Sequence, residues 1–147
     1  MFQLKAEDRL RSWRKFRTSI GALPLEVALL QTAQLWTRAP FTPYHLESTP
    51  EAWPDPWTLI EENYYCDIAK CLGIVYTISL TQHKKNLEIE FRIYQDETGH
   101  EYNLAWINKG KYILNLIDSE VVNIEQFDKT LKLKKRYSAE ELKLESY

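Results

Sequence analysis

The sequence contains few of the residues that build special architectures. Among its 147 residues there are four glycines, two cysteines, one methionine and three histidines. So few glycines argue against a loop-rich or repeat-built chain, and neither an internal repeat nor a low-complexity tract is present. The longest apolar run, residues 72–80, is shorter than the roughly 20 residues that a membrane-spanning helix requires. The length and composition therefore predict one ordinary globular domain that does not enter a membrane.

The N-terminus and the cysteines indicate where the protein is found. The first residues carry charge throughout and include no apolar segment of the kind that forms a secretory signal. Cys66 and Cys71 are five positions apart, which on one helix separates their side chains by about 140°. A disulfide between them is disfavoured by that geometry. We expect two free thiols in a reducing, intracellular compartment, and no secretion through a signal peptide.

Positive charge is concentrated at the two ends, although the formal net charge is −2. Residues 1–20 contain six basic residues, and the segment 132–137, KLKKRY, adds four more. Basic ends of this kind are typical of solvated helix faces, and they also suit contacts with nucleic acid or with an acidic protein surface. Because no aromatic platform or nucleic-acid motif accompanies them, nucleic acid is the weaker interpretation. The six N-terminal residues are Lys5, Arg9, Arg11, Arg14, Lys15 and Arg17.

Helical patterns dominate the first half of the chain. Leu10, Trp13 and Phe16 repeat at helical spacing within residues 5–19. Pro24 is placed to open a second helix, which the pattern extends to about residue 38. The next stretch, residues 39–57, contains five of the six prolines. It predicts an extended loop whose aromatic side chains pack on the core.

A cysteine-bearing helix follows this loop. Asp55 and Pro56 are a helix-start signal, which predicts a short helix ending at Glu62. Asn63 is placed to cap a further helix with Cys66 in its first turn. Residues 68–79 fit both a helical period and a β-rich composition. We favour a helix that continues to about residue 82.

The second half predicts an antiparallel sheet. Residues 87–95 alternate apolar and charged side chains, and residues 100–107 and 111–117 follow after short turns. Residues 121–127 are consistent with a short fourth strand, and Ser138 is placed to cap a closing helix. Helices followed by an antiparallel meander predict the α+β class.

We divide the chain into a basic helical segment, residues 1–39, and an α+β core, residues 40–147, within one compact unit. The apolar stripe of the first helix is narrow and its remaining face is basic. We therefore expect the N-terminal segment to contribute little to the core and to be available for docking.

Three side chains form the candidate site. The antiparallel pairing predicted for residues 100–107 and 111–117 brings the start of one strand beside the end of the other, so that His100 and Asn115 can be neighbours. A thiol at a helix N-terminus has a lowered pKa, because the helix dipole and a nearby imidazolium favour the thiolate. Cys66, His100 and Asn115 would then act as nucleophile, base and orienting amide.

The order of motifs resembles the transglutaminase-like superfamily, particularly its bacterial cysteine-proteinase-like branch. Trp53-Pro54, Cys66-Asp67-Ile68-Ala69, Gly99-His100 and Gly110 through Asn115 follow one another as the family's motifs do. The resemblance covers roughly residues 53–117 and implies a papain-like core with Cys66 as nucleophile and His100 as base. Asn115 stands where the family has an aspartate.

Two departures from the family pattern point away from catalysis. Tyr64-Tyr65 replaces a Gly-Asp pair before the cysteine, and the two bulky rings are expected to close the substrate approach. Asn115 lacks the negative charge that stabilises an imidazolium. A cysteine in an aromatic-rich helix is more often a small buried apolar residue than a nucleophile.

A second resemblance suggests a biological setting. The stretches WPDPWTLI, NYYCDIAK and GKYILN resemble small proteins of contractile-tailed bacteriophages. This resemblance implies that the protein is a non-catalytic assembly or virion component, located in the host-cell cytoplasm or the virion. We expect it to bind a protein partner or another copy of itself through the basic helices and the proline-rich loop.

The alternative function is that of a small cysteine hydrolase or acyl-transferase acting on amide bonds. No cofactor or metal is expected, because no ligand spacing or phosphate-binding loop is present.

Overall fold

The computed structural model describes all 147 residues, which form four α-helices and one five-stranded antiparallel sheet. The α+β class is confirmed. The strand order is β4-β3-β2-β1-β5, and the helices cover one face of the sheet. The helices are α1 (Ala6–Gly21), α2 (Leu25–Thr37), α3 (Pro56–Glu62) and α4 (Asp67–Ser79); the strands are β1 (Ile89–Gln95), β2 (Glu101–Ile107), β3 (Tyr112–Leu114), β4 (Val121–Val122) and β5 (Lys132–Ser138).

The boundaries of α3 and α4 differ from those the sequence predicted. Asp55 caps α3 as expected, because its carboxylate accepts from the Thr58 backbone N–H at 2.8 Å. Asn63, however, ends α3 in the left-handed conformation, with φ 59°, which asparagine tolerates well. Cys66 is therefore the N-cap of α4 and lies outside its first turn. Helix α4 ends at Ser79, and the predicted continuation to residue 82 is wrong.

The predicted meander of β1, β2 and β3 is confirmed. Strand β1 buries Ile89, Phe91 and Ile93 on the helix side, while Glu90 and Arg92 lie on the opposite face. The second pairing is shorter than expected, because β3 spans only three residues. The fourth strand, β4, is confirmed with two residues.

The fifth strand was not predicted from the sequence. The basic segment KLKKRYS forms β5, which pairs antiparallel with β1 at the edge of the sheet. Because an edge strand exposes most of its side chains, charge replaces the apolar alternation that identifies a strand. The predicted closing helix is also wrong. Ser138 does cap a turn by accepting from the Glu141 N–H at 3.1 Å, but only a 3-10 turn, Leu144–Ser146, follows.

A single threonine joins three helices at the centre of the core. The Thr77 hydroxyl accepts the indole N–H groups of Trp13, at 3.0 Å, and of Trp36, at 2.9 Å. It donates to the Gly73 carbonyl at 2.6 Å, so that its hydrogen-bonding capacity is fully used. Gly73 leaves room for the Trp36 ring, which would lie 2.3 Å from any added Cβ. The fold thus ties α1 and α2 firmly to α4.

This arrangement overturns the expected loose attachment of residues 1–39. Trp13, Leu29 and Trp36 are at most 1% exposed and belong to the same hydrophobic core as α4 and the sheet. Part of the basic surface is structural as well. Arg9 is 7% exposed, and its guanidinium donates to the carbonyls of Ile60, at 2.9 Å, and Glu61, at 2.8 Å. Arg9 therefore closes the C-terminal end of α3, where carbonyl groups lack helical partners.

The opposite face of the sheet is covered by irregular chain. Phe127 and Leu131 pack there against Tyr94, Leu104 and Trp106. Arg92 lies over the Trp106 ring, with 4.2 Å between the guanidinium carbon and the ring centroid. None of the helices combines the length and apolar character that a membrane span requires.

Candidate functional site

Cys66 lies at the N-terminal end of α4, on the wall of an open cleft. Its side chain is 5% exposed and makes no hydrogen bond, and no side chain caps the helix. The cleft has a volume of about 560 Å³. The backbone N–H groups of a first helical turn have no helical partners. The thiol therefore lies at the electropositive end of a helix.

The proline-rich loop forms the other wall of this cleft. Phe41 makes a parallel β-bridge with Tyr65, and the Thr42 N–H donates to the Tyr65 carbonyl at 3.0 Å. This pairing fixes the start of the loop directly before the cysteine. Phe41 and Tyr44 nevertheless point to solvent, with exposed fractions of 57% and 98%. The expectation that the loop aromatics pack on the core is wrong for these two residues.

The far end of the loop is anchored on the sheet. Trp53 packs on Phe91 and Tyr137, with ring centroids 4.9 and 5.5 Å apart. The Lys135 ammonium of β5 donates to the Ser48 hydroxyl at 2.9 Å, and the Tyr137 hydroxyl donates to the Ser48 carbonyl at 3.1 Å. The second basic segment thus holds the loop in place.

His100 is delivered to the cleft by a tight turn. The Asp96 carboxylate accepts from the backbone N–H groups of Thr98, at 2.9 Å, and His100, at 3.0 Å. Hydrogen bonds from the Thr98 side chain and these N–H groups lower the pKa of Asp96. His100 lines the cleft that contains Cys66, but its ring packs edge-on against Tyr102, with centroids 4.7 Å apart. Tyr102 in turn packs against the cluster on the opposite face of the sheet.

Asn115 lies outside the cleft that contains Cys66 and His100. It follows β3 in the left-handed conformation, with φ 75°, and its amide donates to the Asn103 backbone carbonyl at 2.8 Å. It makes no hydrogen bond to His100 and does not line the cleft. The structure brings Cys66 and His100 to one cleft and leaves Asn115 out. The residues predicted as nucleophile and base line one cleft, but no hydrogen bond connects Cys66, His100 and Asn115 into a relay.

Asn103 is the polar residue of the site that the sequence interpretation missed. It lies on the helix-facing side of β2, paired with Ile93 of β1, and is 6% exposed. Its side-chain oxygen is buried without a hydrogen-bond partner, and the residue lines the cleft with Cys66. Buried polar groups are almost always hydrogen-bonded. One signal was present in the sequence, since Asn103 occupies an inward position in the otherwise apolar stretch NLAWI.

The two tyrosines before the cysteine do not close the cleft. Tyr65 is fully buried and packs on Phe2 and Trp36, at 5.4 and 5.2 Å between ring centroids. Tyr64 is half exposed and its ring lies tilted against that of His45, with 5.1 Å between the ring centroids. Neither residue lines the cleft. The cleft is lined instead by the loop residues Phe41, Pro43, Tyr44 and Leu46.

The second cysteine, Cys71, is expected to be unreactive because it is completely buried. Both thiols are free and buried, and complete burial raises the pKa of Cys71 well above its ordinary value. A protonated, enclosed thiol is a poor nucleophile. No group of three His, Cys, Asp or Glu side chains is arranged to bind a metal.

Comparison with family models, with curated proteins and with solved structures found no match for this chain. The resemblances to the transglutaminase-like superfamily and to bacteriophage proteins remain predictions from the sequence.

Proposed function

We propose that the protein is a non-catalytic interaction protein that binds a partner protein in the cleft beside Cys66. The observation that carries this proposal is the exposure of aromatic side chains around the cleft. Tyr44 is 98% exposed and adopts the left-handed conformation, with φ 59°. Aromatic residues are enriched where proteins bind one another, because they bury much area at little entropic cost.

The docking surface in this proposal is one part of the surface that the sequence suggested. Arg9 and Trp13 of the N-terminal helices are buried within the fold, whereas Lys5, Arg11, Arg14 and Lys15 are exposed, and docking through these four stays a prediction from the sequence. The proline-rich loop keeps its proposed role, since Phe41, Pro43 and Tyr44 line the cleft. The bacteriophage setting, the role in virion assembly and the degenerate transglutaminase-like ancestry rest on the sequence resemblances alone, and they complete the proposal.

Photocrosslinking tests the proposed docking surface. A photoreactive phenylalanine analogue placed at Tyr44 should crosslink one discrete partner in the cells that make the protein. The same analogue at Glu125, an exposed position of the chain that covers the other face of the sheet, is the matched control. Equal crosslinking from both positions, or none from Tyr44, would refute docking at the cleft.

The alternative is a cysteine hydrolase, which the position of Cys66 at a helix N-terminus favours. Iodoacetamide labelling followed by peptide mass spectrometry separates the two functions. Because the Cys66 side chain is 5% exposed and has no base hydrogen-bonded to it, we expect slow labelling in the native state and fast labelling after unfolding. Rapid native labelling that is lost in a folded His100→Ala variant would favour the catalytic alternative over the interaction function.

A further inference from the structure

The lining of the cleft contains acceptors and no lysine or arginine. Asp67 and Glu101 are its two carboxylates, and His100 is its only other titratable side chain apart from Cys66 and Tyr44. Glu101 pairs with Lys134 of β5 at 2.7 Å. Asp67 is exposed and has no ion-pair partner. The Asp67 carboxylate also offsets the positive end of α4, at whose first position it lies.

Asn103 adds a buried acceptor to this lining. Its side-chain oxygen has no hydrogen-bond partner within the chain, although only 6% of the residue is exposed. An unsatisfied buried oxygen costs free energy that a hydrogen-bond donor entering the cleft would recover. Because the oxygen itself is shielded from solvent, a donor that enters the cleft beside Cys66 reaches it only when the lining side chains shift.

The rim supplies aromatic faces. Phe41 and Tyr44 are the two most exposed aromatic side chains of the protein, and both line the cleft. A cation over an aromatic face is attracted by the ring's negative quadrupole, and arginine does this most often. The guanidinium group has five N–H donors, no acceptor and a planar shape that stacks on rings.

We infer that the cleft binds an arginine side chain of the partner protein. Its guanidinium donates to the Asn103 side-chain oxygen and to the Asp67 carboxylate, and its plane packs against the Tyr44 or Phe41 ring. This inference rests on the proposed function, and it specifies the chemistry by which the partner is recognised.

An NMR titration with blocked pentapeptides tests it. The probe has one central arginine between alanines, and its matched control has citrulline, which keeps the shape and loses the charge. Hydrogen bonds to charged groups are strong enough that we expect citrulline to bind about tenfold more weakly. The Asn103 side-chain amide resonances should shift with the arginine peptide. Equal affinity for both peptides, or tighter binding of a glutamate-centred peptide, would overturn the inference.

Variants of the protein provide the second arm. Asp67→Asn should weaken arginine-peptide binding about tenfold, whereas Glu97→Gln, an equal charge change in an exposed turn outside the cleft, should change it less than about twofold. Asn103→Asp, which adds a second acceptor oxygen and a negative charge, should tighten binding, and weaker binding by this variant, if it is folded, would contradict the inference. If Asn103→Asp does not fold, the comparison of Asp67→Asn with Glu97→Gln tests the inference. Loss of arginine preference with an intact Tyr44 crosslink would leave the interaction function standing and remove only its proposed chemistry.

Discussion

The two ends of helix α4 differ in how completely their polar groups are satisfied. Near its C-terminal end, Thr77 is 0% exposed and uses every hydrogen-bonding capacity of its hydroxyl. At its N-terminal end, the Cys66 thiol does not cap the helix, and the nearby Asn103 side-chain oxygen is buried without a hydrogen-bond partner. The same helix therefore has one end closed by packing and one end with free polar groups facing a cleft.

The C-terminal end of α4 therefore contributes to stability, and the cleft at its N-terminal end is suited to binding. A satisfied hydrogen-bond network within a dense core gives rigidity and a unique packing arrangement. An unsatisfied group beside an open cleft lowers stability slightly and offers a partner something to bind. We expect substitutions at the first end to change stability, and substitutions at the second to change binding.

Removing the two N-terminal helices should have the largest effect. Deletion of residues 1–39 takes four almost fully buried side chains, Trp13, Ile20, Leu29 and Trp36, from the core. Each is worth about 2–5 kcal/mol, so that their sum, about 8–20 kcal/mol, is as large as the whole stability of an ordinary domain. The shortened protein should show no cooperative thermal transition by circular dichroism. A folded sheet in it would show that these helices are accessory, as the sequence alone suggested.

Thr77→Val should have the second-largest effect on stability. The substitution keeps the side-chain shape and leaves two buried indole N–H donors without an acceptor. We expect a loss of about 2–5 kcal/mol in the free energy of unfolding, measured by urea denaturation. Thr32→Val is the matched control, because that buried hydroxyl only donates to the Ala28 carbonyl within its own helix. Similar losses for both variants would mean that the shared hydroxyl has no special role.

Gly73→Ala should destabilise by about 1–3 kcal/mol, because the new methyl group would lie 2.3 Å from the Trp36 ring. Gly21→Ala is its control, since the nearest atom to a Cβ there is 3.9 Å away. The control should gain up to about 1 kcal/mol from reduced backbone entropy in the unfolded state. Denaturation of both variants under one set of conditions gives the comparison. Equal stability of the two would show that Trp36 moves aside without cost.

Tyr44→Gly should have the smallest effect on stability. The side chain is almost fully exposed and the backbone is left-handed, a conformation that glycine adopts without strain. We expect the free energy of unfolding to rise by about 0–1 kcal/mol, while crosslinking and peptide binding at the cleft weaken. A loss of stability above about 1 kcal/mol would show that Tyr44 packs on the protein in solution and is not a free docking residue.

The elements that the sequence predicted well are those with strong local signals. The alternation of Ile89, Phe91 and Ile93 with charged residues required a half-buried strand, and the spacing in α1 required an amphipathic helix. The capping roles of Asp55 and Ser138 followed from their side-chain chemistry. Strand β5 was missed because a charged edge strand has no apolar period, and its pairing with β1 joins residues about 40 positions apart.

The candidate site was predicted only in part, for a related reason. A local signal placed Cys66 at a helix start and His100 after a turn, and the structure brings both residues to one cleft. The register of β2 with β3 and the direction of each side chain are set by long-range pairing. That pairing turned Asn115 toward the Asn103 carbonyl and placed the Asn103 side chain in the cleft.

By itself, the sequence determined the α+β class, the meander and a helix that begins close to Cys66, because turn residues, caps and apolar periods act over a few positions. The tertiary structure decided that Arg9 and Trp13 belong to the interior, that Thr77 serves two tryptophans, and that Asn103 is left without a partner. These outcomes depend on which distant groups meet in a dense interior, where a buried polar atom is satisfied only by a neighbour that the fold happens to supply.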